Sequence, residues 1–250
     1  MIRVEGLSKS FENKVVLSDI NVTFEAGKVN LIIGKSGSGK TVLLKSLIGL
    51  HTIEQGHIYY GDRDLAGMNT RRVKKLREEI GVVFQGGALF DSLTVLENVM
   101  FPLNLFSDYS EKRKKERAIF CLRRVDLKDA ENLYPSEISG GMKKRVAIAR
   151  AIVLDPKYLF CDEPNSGLDP LTSIVIDNLI SEITHEYHMT TVVNTHDMNS
   201  VFEIGENIVL IQEGRKKWEG TKEMIGKTDN IYLNNFIFSS ELLKKIRNVL

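Results

Sequence analysis

The chain has 250 residues, which is enough for one sizeable α/β domain or for one domain with a lobe inserted in it. Its 34 basic and 33 acidic residues leave a formal net charge of +1, which argues against a protein whose main task is to wrap nucleic acid. The two cysteines, Cys121 and Cys161, lie far apart with no CxxC spacing, which disfavours a disulfide scaffold or a zinc site and predicts two buried thiols in a reducing cytosol.

The sequence contains no segment that predicts export or a membrane span. Its first residues, Met1-Ile-Arg-Val-Glu-Gly, carry charge where a signal peptide needs an apolar run. No stretch reaches the roughly 18 uncharged apolar residues that a spanning helix needs. We therefore expect that any role at a membrane depends on a partner.

The N-terminal part of the chain alternates short β-like runs with turn signals. The runs are Ile2–Val4, Val15–Leu17, Ile20–Phe24 and Val29–Ile33. The last of them is short, apolar and followed by a glycine, so it predicts a buried strand. Lys40–Leu50 then has apolar residues on one face and predicts a helix.

The rest of the chain continues to alternate between strand and helix patterns. Residues 51–84 contain a β-like stretch, a basic helix around Arg71–Glu79 and the strand Ile80–Phe84, and residues from about 88 to 150 are mainly helical, including Glu111–Arg124. Strand patterns return at Tyr158–Cys161 and Thr190–Val193, on either side of the helical Leu171–His185. This order predicts a largely parallel sheet with a helical lobe inserted in it.

A phosphate-binding pattern follows the predicted buried strand. The pattern G-x-x-x-x-G-K-[ST] is formed by Gly34, Lys35, Ser36, Gly37, Ser38, Gly39, Lys40 and Thr41. Its glycines let backbone N–H groups turn inward around phosphate oxygens, and the next helix directs its positive end at the same anion. Lys40 would place a cation beside the β- and γ-phosphates, and the Thr41 hydroxyl can ligate Mg²⁺. The alternative is a glycine-rich turn with a solvated lysine.

Two carboxylates, Asp162 and Glu163, stand at the end of the apolar run that begins at Tyr158. The ligand crevice of a parallel sheet lies at the carboxyl ends of its strands, so we expect these acids to face the phosphate loop. Asp162 would hold Mg²⁺ through water, and Glu163 would orient or deprotonate the attacking water. Such acid pairs are common at strand ends, and the prediction depends on the phosphate loop.

A second candidate anion site lies at Ser139-Gly140-Gly141, before a helix with an apolar face. Ser139 suits a helix cap, and the glycines leave backbone N–H groups exposed at the positive end of the helix. Since the chain already has one phosphate loop, the simplest use of this second site is to contact a nucleotide held by another copy of the chain.

With these segments in place, the sequence resembles the ABC ATPase family over essentially its whole length. Ser139-Gly-Gly-Met-Lys-Lys-Arg145 looks like the family's signature, and it lies between the P-loop and the acid pair as the family requires. Phe11 matches the adenine-stacking aromatic, and Gln85 matches the glutamine of the Q-loop. Ser166-Gly-Leu-Asp169 matches the D-loop, and Asn194-Thr-His196-Asp matches the switch histidine.

The resemblance implies an α/β P-loop NTPase fold with a mainly parallel core sheet, an N-terminal antiparallel β region and an inserted helical lobe. It implies one ABC ATPase domain, with a catalytic core at 1–87 and 151–228, a helical lobe at about 88–150 and a tail at 229–250. Leu242, Leu243, Ile246 and Val249 would form one helical face of that tail. The tail would dock on a partner subunit or pack on its own domain.

The resemblance also implies a head-to-tail homodimer that holds two ATP molecules, with Mg²⁺ bound by Thr41, Gln85 and Asp162. Each ATP would lie on the P-loop of one copy and on Ser139–Gly141 of the other, and Asp169 would contribute to nucleotide binding. Gln85 would sense Mg²⁺ and the γ-phosphate and pass their state to a membrane partner. His196 would contact the γ-phosphate and, with Glu163, Lys40 and Gln85, form the catalytic set.

The combination of Gly87-Ala-Leu-Phe90 with Met142, where most members have glutamine, is similar to the ATPase of the Mla-type, MCE-linked phospholipid transport systems. This similarity implies an integral-membrane permease, an MCE-type substrate-binding protein and a peripheral position on the cytoplasmic side of the inner membrane. An amino-acid importer and a lipoprotein-release system are the nearest alternatives.

Two other function classes compete with a transporter motor. A soluble ABC ATPase that acts on DNA or ribosomes typically has two nucleotide domains or a long coiled-coil insertion, whereas this sequence has one P-loop and no sustained heptads. A GTPase would carry a guanine-reading Asn-Lys-x-Asp, which is absent here. The sequence therefore favours a motor without a nucleic-acid partner.

Overall fold

The structure is a computed structural model that describes residues 1–12 and 14–238. Its strands are β1 (Ile2–Phe11), β2 (Lys14–Phe24), β3 (Val29–Ile33), β4 (Gln55–Tyr60), β5 (Arg63–Asp64), β6 (Ile80–Val83), β7 (Tyr158–Asp162), β8 (Thr190–Thr195), β9 (Asn207–Gln212) and β10 (Arg215–Gly220). Its α-helices are α1 (Lys40–Leu47), α2 (Thr70–Glu78), α3 (Val95–Phe106), α4 (Glu111–Arg124), α5 (Gly140–Ile152), α6 (Pro170–Glu186), α7 (Met198–Ile204), α8 (Lys222–Ile225) and α9 (Ile231–Ile237). Short 3₁₀ turns occupy Leu65–Gly67 and Pro135–Glu137.

The contacts of the chain divide it into two compact units. The first unit combines Met1–Asn69 with the segment that starts at Thr190, and the second unit is Thr70–Met189. The boundaries proposed from the sequence for a core, a lobe and a tail stay a prediction.

The first unit contains an antiparallel sheet with the strand order β2-β1-β4-β5. The two predicted runs Val15–Leu17 and Ile20–Phe24 are wrong as separate strands, because both belong to β2. Leu7 faces Ile20 while Lys9 faces Leu17, so β2 carries one more residue than its partner over this stretch. Asp19 takes a φ of 52° at this bulge, between the two predicted runs.

The first unit also contains four neighbouring strands in the order β10-β9-β3-β8. β3 runs parallel to both β8 and β9, and all of its residues are buried, as its short apolar run predicts. The predicted helix Lys40–Leu50 is too long by three residues, since α1 ends at Leu47. Gly49 adopts a φ of 71°, and the amide of Leu50 turns back to the carbonyl of Lys45 at 2.9 Å, which closes the helix end.

The second unit contains the parallel strand pair β6 and β7, in which Val83 lies opposite Cys161. Helices α3, α4 and α5 follow β6 in the chain and pack on one another before β7 begins. Val99, Leu122 and Val146, one from each helix, are fully buried. The predicted helix Glu111–Arg124 is confirmed with the same bounds.

The predicted fold class is confirmed. The core strand pairs β3–β8, β3–β9 and β6–β7 are parallel, the N-terminal β region is antiparallel, and a group of helices is inserted between β6 and β7. Within residues 1–12 and 14–238, no helix has both the length and the apolar character needed to cross a bilayer. The predicted apolar face of the tail, Leu242, Leu243, Ile246 and Val249, lies outside the described residues.

Candidate nucleotide site

The loop between β3 and α1 takes its shape from three glycines with left-handed or related backbone angles. Gly34, Gly37 and Gly39 have φ values of 148°, 76° and 107°. A Cβ at Gly34 would lie 2.1 Å from the carbonyl oxygen of Ile211, whereas a Cβ at Gly37 would meet nothing within 4 Å. Residue 34 therefore has room only for glycine, and residue 37 requires glycine mainly for its backbone angle.

Polar groups of the same loop point inward and suit a phosphate. Lys40 is buried, and its Nζ donates to the carbonyl oxygens of Gly34 at 2.8 Å and Lys35 at 3.1 Å. The buried Oγ of Ser38 makes no hydrogen bond to any described residue. Helix α1 begins after Gly39 without a side-chain cap, so its positive end faces the loop uncapped. A cation, a buried hydroxyl and a helix N-terminus fit a bound phosphate chain.

His196 lies at the same end of the first unit as the phosphate loop. β3 and β8 are parallel neighbours, and their last residues, Ile33 and Thr195, lie opposite each other. Gly34 and His196 are the next residues along each strand, and His196 is exposed. The pairing of the two strands therefore brings the predicted switch histidine close to the predicted P-loop.

Phe11 ends β1 and keeps 40% of its surface exposed. The ammonium group of Lys9 lies 4.9 Å from the centre of its ring, and the ring of His51 meets it edge-on at 5.1 Å. Burial, followed by the charges of Lys45 and Lys9, lowers the pKa of His51 and favours a neutral imidazole beside the ring. Phe11 is thus held by neighbours but open to solvent, as a stacking residue must be.

In the second unit, the parallel strands β6 and β7 bring Gln85 and Glu163 together. Gln85 lies two residues beyond Val83, and Glu163 lies two residues beyond its partner Cys161. The Nε2 of Gln85 donates to the Oε2 of Glu163 at 3.0 Å and to the Oγ of Ser166 at 3.1 Å. Asp162 is the last residue of β7 and is buried. The predicted sensor and the predicted base therefore form one hydrogen-bonded group.

The predicted signature segment lies at the N-terminus of α5. The Oγ of Ser139 accepts a hydrogen bond from the amide of Met142 at 3.3 Å, so the predicted cap is confirmed. Ser139 and Gly140 are exposed. A Cβ at Gly141 would lie 2.8 Å from the Cγ2 of Thr172, which belongs to α6. The absence of a side chain at residue 141 therefore lets the starts of α5 and α6 approach closely.

Asp169, the last residue of the predicted D-loop, caps α6. Its Oδ1 accepts from the amide of Thr172 at 3.0 Å, and its Oδ2 accepts from the hydroxyl of the same residue at 2.5 Å. These bonds, the one to the hydroxyl first, lower the pKa of Asp169. Within the second unit, the structure gives Asp169 the role of holding the helix start beside the signature glycines.

Comparison with known proteins identifies the family of the chain. The sequence profile of the family described as ABC transporter matches residues 17–166 of the chain. The chain belongs to the ABC transporter family. It carries the ATP-binding domain of that family, which hydrolyses ATP. The resemblance inferred from the motifs is confirmed.

This ABC domain is similar to ATP-binding proteins that are described with different roles. It is 36% identical over 236 residues to the probable ribonucleotide transport ATP-binding protein Mkl of Mycobacterium tuberculosis, covering 94% of this chain and 66% of the relative. It thus spans just under two thirds of that relative's length. It is 34% identical over 237 residues to the intermembrane phospholipid transport system ATP-binding protein MlaF of Haemophilus influenzae, covering 95% of this chain and 90% of the relative.

Two further similarities bear on transport and assembly. The methionine import ATP-binding protein MetN of Clostridium tetani is 40% identical over 216 residues, covering 86% of this chain and 67% of the relative. Among solved structures, the ATP-binding cassette MJ0796, described as a dimer in a post-hydrolysis state bound to ADP and Pi, superposes with a TM-score of 0.81. It is 31% identical and covers 88% of this chain and 98% of that chain.

Sequence reasoning missed two residues of this ABC domain that contact Gln85. Ser166 accepts a hydrogen bond from the Gln85 side chain, and Lys144 donates one to the Gln85 carbonyl oxygen. Ser166 lies inside the D-loop pattern, where only Asp169 had been selected. Lys144 could have been found from its place in α5, because it lies three residues before Ala147 and four before Ile148, on the buried face of the helix. A lysine on the buried face of a helix needs a polar partner, because its charge is otherwise costly to bury.

Proposed function

We propose that this chain is the ATP-hydrolysing motor subunit of an ABC transporter, in which residues 34–41 bind ATP and Glu163 activates water. The observation that carries the proposal is the hydrogen bond from the Gln85 amide to the Glu163 carboxylate at 3.0 Å. It holds the Glu163 carboxylate in place and joins that carboxylate to a residue on a separate loop. Such a link would let a partner that moves the loop control hydrolysis.

The first unit supplies the groups that would neutralise the phosphate charge. The Nζ of Lys40 already lies over the loop carbonyls of Gly34 and Lys35, and a phosphate could take their place as its partner. The buried Ser38 hydroxyl would gain a partner at the same time. Thr41, Gln85 and Asp162 stay the predicted ligands of Mg²⁺, which when bound would screen the phosphate charge.

We propose that a second copy of the chain completes the site. Ser139 and Gly140 are exposed residues at the start of a helix of 13 residues, and the positive end of such a helix attracts a phosphate. Ser139 and Gly140 would contact the ATP held by the partner copy, and Phe11 and His196 would contact the adenine and the γ-phosphate. The dimeric form of the similar cassette MJ0796, which is bound to ADP and Pi, supports the pairing of two copies.

The proposed cargo is phospholipid, moved with an integral-membrane permease and an MCE-type protein from the cytoplasmic side of the inner membrane. The similarity to MlaF supports this, and so does Met142 in the signature. Amino-acid import is the second candidate, because the similarity to the methionine importer subunit MetN reaches 40% identity. Both candidates need the same motor and differ in the permease.

Purification of a tagged copy from detergent-solubilised membranes tests the proposal. We expect a polytopic permease, an MCE-type protein and bound phospholipid to accompany the tag, and the complex to hydrolyse ATP. Recovery of an amino-acid permease without lipid would select the second candidate. Recovery from the soluble fraction with no membrane protein, by contrast, would contradict the transporter proposal while leaving the ATPase activity to be judged separately.

A further inference from the structure

Lys144 is a buried cation in the second turn of α5, which we call the signature helix because it follows the Ser139 cap. Only 5% of its surface is exposed, and burial lowers the pKa of its ammonium group. Its Nζ donates a hydrogen bond to the carbonyl oxygen of Gln85, which lies 59 residues earlier in the chain. A lysine is rarely retained at such a position without a specific partner, because desolvation of its charge is costly. The Gln85 carbonyl is that partner.

Arg150 of the same helix holds the residues that follow Gln85. Its Nη2 donates to the carbonyl oxygen of Gly87 at 2.6 Å, and its Nη1 donates to that of Ala88 at 2.7 Å. Gly87 and Ala88 both have left-handed backbones, with φ values of 75° and 47°. This conformation is unfavourable for alanine and persists where surrounding contacts enforce it. We call residues 85–88 the Q-loop segment; two cations of α5 bind three of its four carbonyl groups.

The Q-loop segment is also part of the proposed hydrolytic group. The Gln85 side chain bonds both Glu163 and Ser166, and its carbonyl bonds Lys144. The hydrogen bond from Lys144 thus holds the backbone from which the Gln85 side chain reaches Glu163. Ser139 caps the N-terminus of α5, the helix that also carries Lys144.

We propose that Lys144 is a positioning residue for ATP hydrolysis: it fixes the Gln85 backbone so that the Gln85 amide meets Glu163, and with Arg150 it ties the Q-loop segment to the signature helix. The inference rests on the proposed function, because it assigns Lys144 to that hydrolytic group. A displacement of α5 would then move Gln85 as well. A nucleotide contact at Ser139 would therefore change together with the position of Gln85.

The first test measures the attachment in the nucleotide-free protein. Lys144→Met keeps the aliphatic length and removes the donor, and we expect amide exchange in residues 85–88 to become about tenfold faster. The Gly87 amide, which donates to the Phe84 carbonyl at 2.8 Å, is the most direct reporter. Lys114→Met is the matched control, because Lys114 is also largely covered and its ion pair is with Glu111. Unchanged exchange at residues 85–88 would overturn the attachment.

The second test asks whether the attachment acts through Gln85. Lys144→Met should lower kcat about tenfold with an unchanged KM for ATP, and it should have no further effect in a Gln85→Ala background. Lys144→Arg should restore much of the rate, because it restores a cationic donor. If the double variant instead loses rate by the product of the two single losses, Lys144 does not act through Gln85. That result would make Lys144 a structural residue and overturn the proposal.

The two tests separate this inference from the proposed function. A wild-type protein that does not hydrolyse ATP would contradict the proposed function, while the exchange measurement would still judge the attachment of the Q-loop segment. If Lys144→Met does not fold, Lys144→Gln replaces it, because glutamine keeps a shorter neutral donor. We expect Lys144→Gln to accelerate exchange at residues 85–88 to a smaller degree, and no acceleration would count against the proposal.

Discussion

The P-loop and the Q-loop segment are both built on left-handed residues, but they are held in different ways. In the P-loop, Lys40 bonds the carbonyls of Gly34 and Lys35, which are six and five residues away in sequence. In the Q-loop segment, the carbonyls of Gln85 and Gly87 are bound by Lys144 and Arg150, 59 and 63 residues away. The lysine that braces the first loop therefore belongs to the loop itself, whereas the cations that brace the second loop come from a distant helix.

Glu163→Gln should produce the largest effect, because the proposed base lies in the group that depends on the Q-loop segment. We expect kcat to fall about 10²- to 10⁴-fold, as for loss of a general base, while ATP affinity stays unchanged because the substitution leaves the P-loop and Lys40 intact. Steady-state phosphate release and equilibrium nucleotide binding measure the two quantities. Appreciable turnover by this variant would remove Glu163 from its proposed role.

Gly34→Ala tests the close packing at the start of the P-loop. Its Cβ would lie 2.1 Å from the Ile211 carbonyl oxygen, so the loop must shift, and we expect a loss of about 1–3 kcal/mol or more together with loss of ATP binding. Gly37→Ala is the matched control, because it meets no atom within 4 Å and should cost about 1–2 kcal/mol from its backbone angle alone. Thermal unfolding and ATP binding give both values. Equal effects of the two substitutions would contradict the geometry at Gly34.

Arg150→Met tests the loop that is held from a distance. Loss of the bonds to Gly87 and Ala88 should cost about 1.5–3 kcal/mol of stability, since both involve a charged donor. In a protein of this size that corresponds to a fall of about 2–4 °C in Tm for each kcal/mol. ATP affinity should stay at the wild-type value, and weaker binding would show that the two loops are not independent.

The difference between partners near in sequence and partners far away also determines what could be predicted from the sequence. The strand Val29–Ile33 and the cap at Ser139 depend on residues near in sequence, and both were predicted at their observed positions. The phosphate-binding role of residues 34–41 also comes from a local pattern and stays a prediction. The contacts of Lys144 and Ser166 with Gln85 were not predicted, because the partners come from different segments and sequence spacing does not specify such contacts. The bulge at Asp19 was not predicted either, because a polar residue in a bulge cannot be distinguished from a polar residue in a turn by its sequence alone.

Thiol reactivity is the smallest expected effect, and it reports on the packing around the second unit's helices and β7. Burial raises the pKa of Cys121 to about 11, and burial also raises the pKa of Cys161. At pH 8 both thiols are therefore protonated and covered, so iodoacetamide should modify neither until the protein is unfolded. Mass spectrometry after brief labelling checks this, with the guanidinium-unfolded protein as the positive control. Rapid native labelling of Cys161 would contradict the burial of β7.

The most direct test of the central claim, that ATP closes two copies of this chain on each other, is sedimentation of Glu163→Gln. With ATP and Mg²⁺ the variant should sediment as a dimer, because bound nucleotide is not consumed, and with ADP it should sediment as a monomer. A variant that binds ATP and remains monomeric at every protein concentration examined would contradict the account.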